Sequence, residues 1–310
     1  MRQVSLGEET TWGTSVAVTR ALEVISWNVK PNHFFKDIKT IRSKSALGTV
    51  YGGYVGEGPC QLAASYQGQG FLFKHLIGSV TTTGAADPRT HRFPATTGIG
   101  TADRFGMGLT AEEVLEENLV WRWSGGKIES LKLSIPLDDV ATYDLGLVFK
   151  SFVNDATETT LTPATFSPLI PNQCFITWAG GAEMPAQSLE VEIKNPVSRT
   201  RTMRAAGLAR EPRRSDVIEV QFTAHVLFEA FADWYSSFNG TTTGQIVMKA
   251  VKTAVTEELR FTAPVAVIQG DTPVLQGYDL ATVPFVAKAY FSSDADESCR
   301  IEMFNNDDTP

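Results

Sequence analysis

The chain has 310 residues, 43% hydrophobic and 20% charged, enough to bury roughly three quarters of its unfolded surface and to fill about two domains. Its 27 Lys and Arg against 35 Asp and Glu give a net charge of −8, which excludes tight binding to a phosphate backbone, because such binding draws on basic residues that displace counterions. No apolar run approaches the roughly 20 residues that cross a bilayer, so no membrane partner is expected.

The opening, MRQVSLGEETTW, has neither a basic nor an apolar leader segment, and no export signal is expected. ALEVISWNV follows as a β-prone run, and CQLAASY alternates as a strand before Phe71, Leu72, His75 and Leu76 make a short helical stripe that stops at Gly78. After TTTG at 81–84 come the strand-like segments RFGMGL, LVWRW and KIESLKLSI. Between them TAEEVLEE carries a helix-start signature in Thr110 and Glu113, and we read it as an acidic loop or turn. Residues 154–172, rich in Thr, Pro and Asn, read as a linker.

The order then repeats. LEVEIKN at 189–195 answers LEVISWN at 22–28, and VIEVQFTAHV is again a strand. Leu227, Phe231, Trp234, Tyr235 and Phe238 fall on one helical face ending near Gly240, and a second TTTG closes at Gly244. QIVMKAV, LRFTAPVAVI and LATVPFVAKAYF complete a second set of strands. Self-similarity in fixed order marks repeated units. The sequence therefore predicts a mainly β protein of two tandem β-sandwich domains, residues 1–153 and 173–310, each with one flanking helix.

Chemistry is sparse. His33, His75, His91 and His225 are scattered, no nucleophile elbow or HExxH motif occurs, and the glycines of 52–58 and 98–100 read as loop backbone. Cys60, Cys174 and Cys299 are odd in number and far apart, so neither a disulfide framework nor a zinc site is suggested, and a reducing cytoplasm fits best. No catalytic residue, metal or cofactor is expected. Charge patterning is sharper. The first copy carries Lys36, Lys39, Arg42 and Lys44 in an arm, and the second carries Arg199, Arg201, Arg204, Arg210, Arg213 and Arg214. Glu112, Glu113, Glu116 and Glu117, and then Glu257 and Glu258, mark acidic tips between later strands. Loops of opposite sign are expected to meet between subunits and supply register.

LGEETTWGT, EGPCQLAASYQGQGFLFKHLIG, WSGGKIESLKLSIP and GDTPVLQGYDLATVPFVAKAYF, taken together, resemble the tail tube proteins of long-tailed, non-contractile bacteriophages. That resemblance covers most of the chain. It implies a structural, non-enzymatic β-sandwich subunit, assembled in the host cytoplasm into stacked rings of the virion tail, through which DNA passes without adhering. It also implies tape measure, tail terminator and distal tail proteins as neighbours. The family's usual subunit has one domain in a sixfold ring, so a tandem copy points to three chains with pseudo-sixfold character. Two other readings stand beside it. A carbohydrate-binding or virion decoration protein would expose Trp12, Trp121, Trp123 and Trp178 as a platform, and a β-rich glycosidase would face two carboxylates across a cleft.

Overall fold

The computed structural model describes residues 3–42, 44–84, 87–96, 108–116, 119–155, 157–162, 165–200, 210–227, 242–252, 257–269 and 282–309. Alternating apolar and polar residues dominate both halves, and a period of two puts one set of side chains into a core only if the backbone is extended. The first half accordingly forms β1 (Gln3–Glu8), β2 (Arg20–Leu22), β3 (Val24–Trp27), β4 (Lys30–Ile38), β5 (Gly48–Ala63), β6 (Thr81–Thr83), β7 (Arg89–Thr96), β8 (Leu109–Glu116), β9 (Leu119–Pro136), β10 (Thr142–Phe149) and β11 (Ser151–Asp155). One helix, α1 (Gly70–Ile77), follows β5. The second half forms β12 (Cys174–Trp178), β13 (Glu183–Met184), β14 (Ala186–Lys194), β15 (Glu219–Leu227), β16 (Thr243–Val251), β17 (Glu258–Ile268), β18 (Thr282–Tyr290) and β19 (Glu297–Asn305). The protein is mainly β, with a single α-helix among the described residues. Of the second expected helix, Leu227 is instead the last residue of β15, and residues 228–240 lie outside them.

One pairing scheme occurs twice, every pair antiparallel. In the first half β1 pairs with β2 and β8, β8 pairs with β9, β9 pairs with β11 near its start and with β10 further on, β10 pairs with β5, and β5 with β3. In the second half β12 pairs with β13 and β16, and β16 pairs with β17. β17 pairs with β19 near its start and with β18 further on, β18 pairs with β15, and β15 with β14. The LVWRW and KIESLKLSI segments are one 18-residue strand, β9, which changes partners midway. Its far end also pairs with β14 over seven residues, from Ser188 opposite Pro136 to Lys194 opposite Ser130. That ladder and a second one, in which β7 pairs with β19 from Arg89 opposite Asn305 to Thr96 opposite Glu297, join the two halves.

The join can be followed residue by residue. Val24 lies opposite Leu62, Leu62 opposite Tyr143, Tyr143 opposite Leu133 and Leu133 opposite Val191. Val191 lies opposite Phe222, Phe222 opposite Ala287, and Ala287 opposite Ile268. Except for half-buried Val24, every side chain in that row is buried, so one face of the sheet belongs to the core. The row visits equivalent strands in the same order twice, and Val24 and Val191 are the valines of the two LEV segments.

α1 lies inside this core. Seven of its eight residues are buried, and Gly78 ends it in the left-handed region at φ 94°, its N–H bonded to Lys74 O at 2.8 Å. Phe73 packs edge-on against Phe93, Tyr143 and Phe261 at 5.7, 5.8 and 5.8 Å between ring centroids, touching both halves of the chain. Asn195, fully buried in the second half, donates Nδ2–H to Leu76 O at 2.6 Å and so satisfies a carbonyl that the helix end leaves open.

The TTTG marker is not part of the repeat. Its first occurrence is β6, paired with β7, followed by Gly84 at φ 105°; in the second, Thr243 and Gly244 open β16, the counterpart of β8. Gly244 is there for packing, since a Cβ would meet the Trp178 ring at 2.7 Å. TAEEVLEE is also not a loop. Its residues 110–116 lie in β8, because β1 and β9 pair along both edges and that pairing overrides the local helix-start signal. Within 154–172, Ser167 and Leu169 are buried, and Tyr66 N–H bonds to Ser167 O at 2.8 Å, so this stretch packs on the core.

Truncating Phe73 to Ala should cost about 3–5 kcal/mol, the usual loss for a buried phenylalanine. Because the ring contacts both halves, chemical denaturation should show one transition moved to lower denaturant. Two separate transitions, only one of them moved, would show that the halves unfold independently.

Candidate functional site: the polar sheet face and the charged segments

The face of the sheet turned away from the core is polar. One residue along from the buried row, Gln61, Asp144, Lys132, Glu192, Gln221 and Lys288 follow one another across six strands. Ion pairs tie this face together: Lys132 to Glu190 at 2.9 Å, Lys194 to Glu192 at 3.0 Å and Lys288 to Glu219 at 3.0 Å. Hydrogen bonding to Glu219 raises the Lys288 pKa above its ordinary value. Bases and acids nearly cancel, so this face offers no array of free cations to a polyanion.

The sequence-predicted charged residues separate into two kinds. Lys36, Lys39, Arg42 and Lys44 are exposed on the long β4–β5 hairpin, beside exposed Phe35, Ile38, Ile41, Leu47 and Tyr51. Among the described residues none of the four makes an ion pair. Arg199 turns inward to Glu129, at 2.9 and 3.0 Å to the two carboxylate oxygens, and to Glu57 at 3.4 Å. Arg214 bonds to Asn195 Oδ1 at 3.2 Å, while Arg210 and Arg213 are held through their backbone N–H groups by Thr200 O and Ser198 Oγ. Arg201, Arg204 and Glu117 lie outside the described residues.

The acidic residues are mostly internal clasps. Glu112 is buried in β8 and accepts from Arg122 at 2.8 Å and from the backbone and hydroxyl of Thr159 at 2.7 and 3.0 Å. Glu113 accepts from the Trp27 indole at 3.0 Å, and Glu258 pairs with Arg260 at 2.6 Å. Glu257, also buried, accepts from Lys252 and Ser167, both at 2.6 Å, and from Gln67. Burial alone would raise its pKa, but these bonds outweigh it and hold the carboxyl below its ordinary 4.5. Glu116 is the one exposed acid of the set among the described residues.

Sequence reasoning missed Glu9. It is fully buried and accepts from Gly13 N–H at 2.6 Å, Gly125 N–H at 2.8 Å and Thr110 Oγ1 at 3.0 Å, pinning the segment after β1 across β8 and β9. Burial raises its pKa despite those bonds. Its signal, an acid just before a turn, is too common to single out. Lys252 Nζ lies 2.8 Å from Ser167 Oγ and 2.6 Å from the Glu257 carboxylate, to which Ser167 also donates, so the three close one hydrogen-bonded clasp.

The tryptophans form no platform. Trp123 and Trp178 are buried, Trp121 packs on Trp123 and Phe152, and Trp12 donates its indole N–H to Gly125 O at 3.1 Å. Among the described residues no group of His, Cys, Asp and Glu could hold a metal ion, and no helix is long and apolar enough to cross a membrane. Burial pushes the Cys60 and Cys299 thiols up to about 12.

The described residues thus form an antiparallel sheet whose pairing scheme recurs, with one core face and one charge-balanced face, and carry an exposed basic hairpin. The family described as phage tail tube protein matches residues 1–287, and the chain belongs to that family. It is a structural component of the phage tail. Among curated proteins, no match to the sequence is found.

The depressed Glu257 pKa fixes the sign of one pH effect. A carboxyl held lower in the folded than in the unfolded state contributes stability above about 4.5, which is lost as pH falls through its folded value. Glu257→Gln should lower the thermal midpoint at pH 7 and make stability fall less steeply below pH 4.5 than in the wild type. An unchanged acid limb would assign the acid sensitivity to other carboxyls.

Proposed function

We propose that this chain is the repeating subunit of the tail tube: three chains close a ring, rings stack into a hollow tube, and the genome passes through it into the host. What carries the reading is the strand row that repeats after four strands within one chain. A ring closes when one head-to-tail contact is repeated by rotation. A chain that already contains one such contact, β9 on β14, supplies two ring positions, so three chains give six. Residues 1–153 and 173–310 are then two copies of one tube domain, and the subunit works without catalysis, metal or cofactor.

The polar face of the sheet is assigned to the lumen. Its cations are matched by carboxylates, so passing DNA meets no surface that would hold it by counterion release. The β4–β5 hairpin is assigned to the contact between rings, with Arg210 and Arg213 as its second-copy counterpart. Its acidic partners are surface carboxylates such as Glu116, because the oxygens of Glu112 and Glu257 are already bonded within the chain. The exposed apolar side chains beside the lysines add a contribution that salt does not screen. Tape measure, terminator and distal tail proteins would meet the same ring faces at the tube's ends, with assembly in the bacterial cytoplasm.

Electron microscopy and native mass measurement of the purified protein test the reading. Rings or tubes of three chains per layer are expected; six chains per layer would overturn the stoichiometry, and a monomer at every concentration would overturn the function. Reversing Lys36, Lys39, Arg42 and Lys44 to Glu should leave a folded chain and intact rings but shorten the tubes. Wild-type tubes should shorten only partly at about 1 M salt, where the screening length is roughly 3 Å. Full-length tubes from the reversed chain would show that the hairpin is not the stacking contact.

A further inference from the structure

The segment after β19 is tied across the first half of the chain. Asp307 Oδ2 accepts from Gly68 N–H, just ahead of α1, at 2.8 Å and from Asn305 Nδ2 at 2.7 Å; Asn305 is fully buried and also donates to Tyr66 O at 3.0 Å. His91 of β7, fully buried, has Nε2 3.0 Å from Asp307 O. A carbonyl only accepts, so Nε2 donates, and in the neutral ring Nδ1 accepts from Thr82 Oγ1 at 2.9 Å. Arg89 Nη1 donates to Asp308 O at 3.0 Å and pairs with the Asp308 carboxylate at 2.7 Å, while Arg20 Nη2 donates to Thr309 Oγ1 at 3.2 Å. Three consecutive residues thus have two carbonyls, two carboxylates and a hydroxyl engaged.

We propose that Gly68, His91, Arg89 and Arg20 form a recognition site for an acidic peptide of the pattern Asp-Asp-Thr, and that the chain's own residues 307–309 are its tethered occupant, a strap closed over the first half. The donors are held by the first half itself. Arg20 in β2 stands over the Phe71 ring at 5.1 Å; burial lowers its pKa, and Asp307 and Glu8 oppose that shift. An attached ligand has a high effective concentration, so contacts too weak to hold a free peptide suffice to hold this one. Asp308 and Thr309 are exposed, and exposed ion pairs contribute little, so the outer end of the strap opens first while Asn305 stays fixed. Closing it draws β2, the entry of α1 and β7 to the end of β19. The strap lies beyond the residues the family match covers, and the inference does not depend on the ring reading.

Two variants open the strap: a chain ending at Asn306, and the full chain carrying Asp307→Ala with Asp308→Ala. Both keep every residue of β19 and its ladders. Followed by NMR, hydrogen exchange at the Gly68 amide should be about tenfold faster in either variant than in the wild type. The acetylated peptide Asn-Asp-Asp-Thr-Pro, residues 306–310, added at millimolar concentration, should restore slow exchange, and the same peptide with both aspartates replaced by asparagine should not. The wild-type chain, its site filled, should not respond. Adding Arg20→Ala and Arg89→Ala to the shortened chain should abolish the rescue. Exchange as slow as wild type in both variants would show that the strap protects nothing. Faster exchange that the peptide does not reverse, or equal rescue by the asparagine peptide, would reduce the segment to a structural contact and overturn the recognition site.

Discussion

The structure depends on the ladder between β9 and β14. A strand has two edges, and a strand of ordinary length uses both within its own sandwich. β9 is 18 residues long, so its first half pairs with β8 and β11 while its second half still has an edge to offer. That edge takes β14, the first long strand of the second half, and one buried row then runs across both copies. Phe73 reaches Phe261 and Asn195 reaches the end of α1 because this ladder and the β7–β19 ladder hold the halves together.

The β9–β14 ladder forms when the chain folds, without the loss of translational freedom that association between chains entails. Among the described residues β4 pairs only with β5, so the long hairpin keeps an open edge, as β3 does on the side away from β5.

Charge serves two purposes here, and only geometry separates them. Glu112, Glu257 and Glu9 are buried acceptors that hold Thr159, Ser167 and Gly13 to the sandwich, so removing them would leave buried donors without partners. The lysines of the β4–β5 hairpin touch no acid among the described residues, and the sheet's polar face pairs its charges along itself. An acidic net charge therefore says little about where the acids are. Several are spent inside the fold, and the strongest exposed cluster is basic.

The sequence by itself determined the fold class, α1 with its glycine stop, most strands and the family, because period-two alternation and a left-handed helix terminus are local properties of the backbone. The valines of the two LEV segments fill matching positions in the row. Tertiary structure alone decided the rest. Residues 110–116 became part of a strand because β1 and β9 claim both its edges, and the two TTTG occurrences fell in unrelated places, one as β6 and one opening β16, where its glycine makes room for Trp178. Which acids are exposed and which are clasps depends on strands distant in sequence, as Glu112 depends on Thr159 and Glu257 on Ser167. Pairing partners and burial are set by long-range contacts, and no local pattern encodes them.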